Sequence, residues 1–168
     1  RYALGPLGRG WSHNWQYSLQ KDPDGTVKIL GPGGSIRAFQ PDSRNGGYFS
    51  EPGDYSTLSA AGGGAFTLMA PDGTVIRFRS DGNLEYVQDT NGNRITAGYT
   101  SARLTSLTHS SGQNIQISYN AGGRISQVAD STGHTTSYAY DASGEHLLSA
   151  TGPEGTTTYV YDTVGRQT

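Results

Sequence analysis

The chain contains no cysteine, so no disulfide, thiolate nucleophile or thiolate metal site can be invoked. That absence does not fix the compartment. Charge is also scarce. Only 15% of the residues are Asp, Glu, Lys or Arg, and the net charge is −2. There is no basic face to neutralise phosphates, so nucleic acid is a poor partner. No apolar run approaches the roughly 18 residues that a membrane span needs, so membrane insertion is not expected. No stretch sustains helical periodicity. Leu, Ile, Val and Phe together make up about 17% of the 168 residues. So low a share accompanies disorder only when net charge is high, and here it is low. What is abundant is Gly (25) and Tyr (11). That composition suits a turn-rich β protein whose apolar face is built from Tyr and Thr, with each phenol reaching for a partner.

The tyrosines are in phase. Tyr99-Thr100, Tyr119-Asn120, Tyr140-Asp141 and Tyr161-Asp162 recur every 20 or 21 residues. Gly92, Gly112, Gly133 and Gly155 precede them at 20 to 22-residue spacing. Four residues after the Tyr comes a third mark: Gly123-Arg124, Gly144-Glu145 and Gly165-Arg166. The first copy is one residue short there, with Arg103 after Ala102. Leu104, Ile125 and Leu147 supply an apolar residue after the mark. Three marks in phase over four copies define a repeat array spanning 89–168.

Each unit reads as a glycine turn, a strand, a Tyr-Asp turn and a short strand. Ile115, Ile117 and Tyr119 alternate with Asn114, Gln116 and Ser118. Thr136, Tyr138 and Tyr140 alternate with Ser137 and Ala139. Thr157, Tyr159 and Tyr161 alternate with Thr158 and Val160. Period two marks half-buried strands, and the Asx-Gly turns between them mark hairpins. One hairpin is marginal alone, so stacked units must share a face.

The motif Tyr138-Ala-Tyr140-Asp141-Ala-Ser-Gly144, repeated as Tyr159-Val-Tyr161-Asp162-Thr-Val-Gly165-Arg166, resembles the YD (Rhs) repeat. That repeat occurs in bacterial Rhs proteins, Tc toxin C-components and animal teneurins. Thr100 and Asn120 depart from it in place of Asp, and Glu145 in place of Arg. The segment Gly8-Arg-Gly10-Trp-Ser-His-Asn-Trp15, with Arg1-Tyr2 before it, resembles the end of the domain that precedes such repeats. The resemblance implies an all-β fold of antiparallel hairpins wound as a spiral sheet, part of a shell. Shells of this kind enclose a C-terminal toxin or serve as an adhesion scaffold, secreted or on a bacterial surface. The chain starts without Met and stops within a unit. It is therefore expected to be a piece of a longer polypeptide. Further repeats or another copy would cover its open strand edge.

Residues 1–88 show no boundary in kind, only poorer units. Asp22-Pro-Asp24-Gly25, Gly31–Gly34, Asn45-Gly46-Gly47, Pro71-Asp72-Gly73 and Asp81-Gly82-Asn83 read as turns between short strands. Residues 41–65 read as a long loop. Trp11, His13 and Trp15 are expected on one face of a strand, with Ser12 and Asn14 on the other. The two Trp either fill the start of the core or, exposed, stack on sugars. The second case makes the chain a carbohydrate-binding or adhesion module.

No catalytic constellation emerges. Gly31–Ser35 lacks the Lys and the helix of a phosphate loop. Asp22-x-Asp24-Gly25 and Asp89–Asn93 lack the closing Glu of a calcium loop. His13, His109, His134 and His146 are scattered. Ser12-His13 are strand neighbours pointing apart, without the second glycine of a nucleophile elbow. The D-P-x-G-L motif of self-cleaving Rhs proteins is absent, so that activity is not carried over. The expectation is a non-enzymatic scaffold without a cofactor or metal. Its defining positions are Tyr119, Gly123, Arg124, Tyr138, Tyr140, Asp141, Gly144, Tyr159, Tyr161, Asp162, Gly165 and Arg166.

Overall fold

The computed structural model describes residues 3–168, and Arg1-Tyr2 lie outside the described residues. The fold is all-β and antiparallel throughout. A two-stranded ribbon opens it, β1 (Leu4–Gly5) with β2 (Gly8–Arg9). A four-stranded sheet follows: β3 (Ser18–Lys21), β4 (Val27–Leu30), β5 (Ile36–Pro41) and β6 (Tyr48–Ser50). A single 3-10 turn at Pro32–Gly34 joins β4 to β5. The rest is one eleven-stranded meander. Its strands are β7 (Thr57–Ala60), β8 (Phe66–Met69), β9 (Val75–Phe78), β10 (Leu84–Gln88), β11 (Arg94–Thr100), β12 (Arg103–His109), β13 (Asn114–Tyr119), β14 (Ile125–Asp130), β15 (Thr135–Tyr140), β16 (Leu147–Gly152) and β17 (Gly155–Thr158). Every strand pairs with its sequence neighbours, without a crossover, and the sheet does not close into a barrel. It runs unbroken through residues 88 and 89.

Alternation sets which side is covered. In β4 Val27 and Ile29 are buried, and in β5 Phe39 is. They form one cluster with Leu58, Phe66, Leu68, Ile76, Phe78 and Leu84 of the long sheet. The four-stranded sheet therefore packs face to face on the β7–β10 end, as a short sandwich. Further along, the same cluster thins to Ala97, Leu104, Leu107, Ile117 and Ile125. In β15 the half-buried residues are Thr136, Tyr138 and Tyr140, as the period-two pattern requires.

Three expectations need correction. Residues 11–17 form no strand. Trp11, His13 and Trp15 lie on an irregular strap that crosses the strands of the long sheet. Tyr17 N–H donates to the Trp15 carbonyl and Gln16 N–H to the His13 carbonyl, a tight local turn that a strand cannot make. Residues 41–65 are not a long loop, because they contain β6 and β7. An ion pair from Arg37 to Asp54 at 2.7 Å holds the connection between those strands. The strands after the Tyr-Asp turns are not short either, at seven residues for β12 and six each for β14 and β16.

The strap is tied down by backbone bonds. Ile125 N–H donates to the Pro6 carbonyl (2.8 Å), Arg9 N–H to the Glu145 carbonyl (2.7 Å) and Leu19 N–H to the Gly82 carbonyl (2.7 Å). Gly82 has φ 80°, and a Cβ there would sit 2.2 Å from the Leu19 carbonyl oxygen. We expect Gly82→Ala to destabilise the fold by about 2 kcal/mol or more. Urea denaturation of the variant checks this, and the matched Gly92→Ala, where a Cβ meets open space, isolates the steric part from the shared cost of positive φ.

Candidate functional site

The repeat marks converge on one side chain to backbone bond. Tyr119 hydroxyl donates to the Leu104 carbonyl (2.8 Å), Tyr140 to Ile125 (2.7 Å) and Tyr161 to Leu147 (2.8 Å). Each acceptor is the apolar residue after the preceding turn, and each is buried.

Strand pairing explains why a phenol is needed there. The ladder between β14 and β15 runs from Ala129↔Thr135 to Gln127↔Ser137 and stops. Between β12 and β13 it stops at Ser106↔Gln116, and between β16 and β17 at Ser149↔Thr158. The strands splay beyond these points. The carbonyl two residues further back is left without a ladder partner, and the Tyr three residues further on reaches it. A buried carbonyl must find a donor, and a phenol is long enough to supply one across the gap. Where Phe78 occupies the equivalent place, the β8–β9 ladder extends fully to Phe66↔Phe78 and needs no such bond.

Within each hairpin the Tyr pairs with the next apolar mark: Tyr99↔Leu104, Tyr119↔Ile125 and Tyr140↔Leu147. The intervening turns differ in length, and a register shift just before each Tyr absorbs the difference. The short first turn has Ser101 and Ala102 at φ 48° and 64°, a conformation that strains residues other than glycine.

The Asp of the motif organises its own turn. Asp141 Oδ1 accepts from the Glu145 and His146 N–H groups at 2.9 and 3.1 Å. Asp162 Oδ1 accepts from Val164 and Arg166 N–H at 3.0 and 2.9 Å, and its Oδ2 takes the Arg166 guanidinium at 2.7 Å. Gly123, Gly144 and Gly165 all turn with positive φ. Arg124 Nε donates onward to the Gly144 carbonyl (2.9 Å). Tyr138 packs against the core cluster. Tyr159 meets Trp11 edge-on, with ring centroids 4.7 Å apart. Trp11 Nε1 donates to the Tyr161 hydroxyl (2.9 Å), so Trp11 joins the last clip to the strap. Trp15 is half-buried against the core cluster. The sequence reading missed the Arg9–Glu145 ion pair.

Electrostatics follow these contacts. Burial pushes the Tyr140 phenol up to about 12, aided by the neighbouring Tyr138, and burial also raises Tyr99, Tyr119 and Tyr138. Burial alone would raise Asp141, but hydrogen bonds from His146, Ser143 and Glu145 outweigh it and hold the carboxyl below its usual range. The Thr132 hydroxyl does the same for Asp130, and the Arg166 N–H for Asp162. Among the described residues no group of three His, Cys, Asp or Glu is placed to hold a metal ion. A comparison with protein-family models and with curated proteins finds no match to this chain.

A raised phenol pKa stabilises the fold fully below the unfolded value of about 10 and is lost as pH climbs toward the folded one. A depressed carboxyl pKa acts oppositely. Its contribution is complete above about pH 4 and disappears as pH falls through the lower folded value. Urea midpoints are therefore expected to hold level through neutral pH. They should fall between about pH 10 and 12 as the tyrosines ionise, and fall again in acid. Phenolate absorbance recorded alongside must show the alkaline fall tracking tyrosine ionisation.

Proposed function

We propose that this chain is a structural segment of a YD/Rhs-type repeat scaffold, a wall of β-hairpins in a secreted or surface-exposed bacterial protein. The observation that carries the reading is the tyrosine clip, repeated at constant register from unit to unit. A bond of that kind makes a sheet extendable by identical steps of about 20 residues, with stability summed over neighbours. The side chains that define the motif serve turns, clips and packing. In this reading the wall encloses a C-terminal toxin in the polypeptide as its gene encodes it. Additional units or a second copy add to the β17 edge, whose four residues are all exposed. The strap fits the same role, because it covers the face of the sheet where the core thins.

One observation favours a second reading, an adhesion or carbohydrate-binding module. Trp15, Ile95, Leu107 and Ile115 floor an open hollow of about 320 Å³, rimmed by Gln113, Asn114 and Asp130. An apolar floor with amide and carboxylate edges suits a sugar ring. Trp11 does not contribute to that hollow.

The experiment is limited proteolysis of the whole natural polypeptide, with electron microscopy of the resistant core and a glycan array in parallel. The scaffold reading predicts a protease-resistant β shell that protects a non-repeat segment, and a silent array. Array binding abolished by Trp15→Ala, with no protected segment, would replace it with the second reading.

A further inference from the structure

Two asparagines of this chain precede a glycine, in Asn45-Gly46 and Asn91-Gly92. A glycine has no side chain to keep its own amide nitrogen away from the carboxamide before it. Both pairs are exposed, and both glycines turn with positive φ, 73° and 85°. Each glycine N–H donates to a turn carbonyl, Gly46 to Asp42 (3.0 Å) and Gly92 to Asp89 (3.2 Å). By sequence and by backbone the two sites are alike. Their side-chain surroundings differ.

At Asn45 the carboxamide is held and polarised. The Gly47 N–H donates to Asn45 Oδ1 at 2.8 Å. The ring that this bond closes runs through the Gly46 nitrogen, so the carboxamide is folded back along the chain. The bond also draws electron density off Cγ and waits where an oxyanion would form. The carboxylate nearby is neutralised, because Arg44 Nε and Nη2 donate to Asp42 at 2.9 and 3.1 Å. Negative charge developing at Gly46 therefore meets no bare carboxylate. At Asn91 these features are missing. Its carboxamide accepts no hydrogen bond among the described residues. Asp89 Oδ1 accepts from the Asn91 and Asn93 N–H groups on either side of Gly92, both at 2.9 Å, and Asp89 has no cationic partner among the described residues. An anion at Gly92 would form beside that carboxylate, where like charges repel.

We propose that Asn45 is a site of self-modification, where a succinimide forms on the folded chain and opens to aspartate and isoaspartate. Hydroxide removes the Gly46 N–H proton. The nitrogen attacks Asn45 Cγ, a C–N bond forms, and the Gly47 N–H stabilises the charge that gathers on Oδ1. The Cγ–Nδ2 bond then breaks, and ammonia leaves with a proton taken from water. A second water opens the ring at either carbonyl. One opening leaves an aspartate side chain and a new negative charge near Asp42. The other leaves isoaspartate, which inserts an extra main-chain carbon into the turn between β5 and β6. That turn leads directly to Tyr48, whose ring meets Phe66 edge-on at 5.8 Å, so the modification loosens the sandwich end of the fold. The site is independent of whether the chain is a scaffold or an adhesion module.

The test is peptide mapping by mass spectrometry of the 168-residue chain, aged at neutral pH once folded and once in urea. Circular dichroism confirms each state. Trypsin separates the two sites, because Arg44 and Arg77 bound one peptide and Arg79 and Arg94 the other. In the folded chain Asn45 should convert about tenfold faster than Asn91, the worth of one hydrogen bond to a charged group. In urea, where neither turn persists, the two rates should converge. Gly47→Pro removes the donor and should bring folded Asn45 down to the Asn91 rate. The comparison of folded and urea-treated natural chain stands even where that variant does not fold. An isoaspartyl methyltransferase assay identifies the route, since direct hydrolysis gives aspartate alone. Aspartate without isoaspartate, equal rates at the two sites in the folded chain, faster conversion at Asn91, or a rate untouched in folded Gly47→Pro would overturn the proposal.

Discussion

The structure depends on a shortage. Where one hairpin meets the next, the strand ladder stops early, and a buried carbonyl is left beyond its end. A tyrosine hydroxyl from the following unit supplies the missing donor, at Leu104, Ile125 and Leu147 in turn. Leaving such a carbonyl unpaired would cost about 1–3 kcal/mol. A shorter side chain could not cross the splayed gap, and Phe could cross it but not donate. The same ring covers apolar surface on the way, so one residue type serves packing and polar satisfaction together. The constraint explains why turn length can drift while the phase of the tyrosines cannot. Each register shift before Tyr99, Tyr119 and Tyr140 restores the Tyr opposite its apolar mark.

Stability is distributed unevenly along the sheet. At the β7–β10 end, Phe39, Phe66, Leu68, Phe78 and Leu84 make an aliphatic and aromatic sandwich. Toward β17 the buried aliphatics dwindle, and β17 itself is wholly exposed. There the fold relies on the clips and on the strap. Pro6 accepts from Ile125, Arg9 grips Glu145, and Trp11 binds Tyr161 and Tyr159. The strap thus links residues near the start of the chain to its last hairpins. A scaffold built this way can lengthen without a growing core.

Much of the sheet was legible in the sequence because its signals are local. Asx-Gly turns and period-two strands involve residues a few positions apart, and the tyrosine phase repeats often enough to read. The clips themselves were not legible, because they join residues 14 or 15 positions apart whose ladder end is a matter of register. The strap misled for a definite reason. Trp11, His13 and Trp15 alternate like a strand, but the segment that carries them is held crosswise, Trp11 by Tyr161, Arg9 before it by Glu145 and Leu19 after it by Gly82, all far along the chain. Residues 41–65 misled in the opposite sense. The strand Thr57–Ala60 has one buried side chain, Leu58, too few to show any period.

The hydroxyl, and not the ring, joins unit to unit. Tyr140→Phe removes a hydroxyl bonded to Ile125, while Tyr138→Phe removes one with no hydrogen bond partner among the described residues. Urea denaturation and native-state hydrogen exchange of the two variants make the comparison directly. Tyr140→Phe is expected to lose about 1 kcal/mol, with protection weakened in both β14 and β15, while Tyr138→Phe changes little. Equal losses in the two variants, or weakening confined to β15, would contradict it.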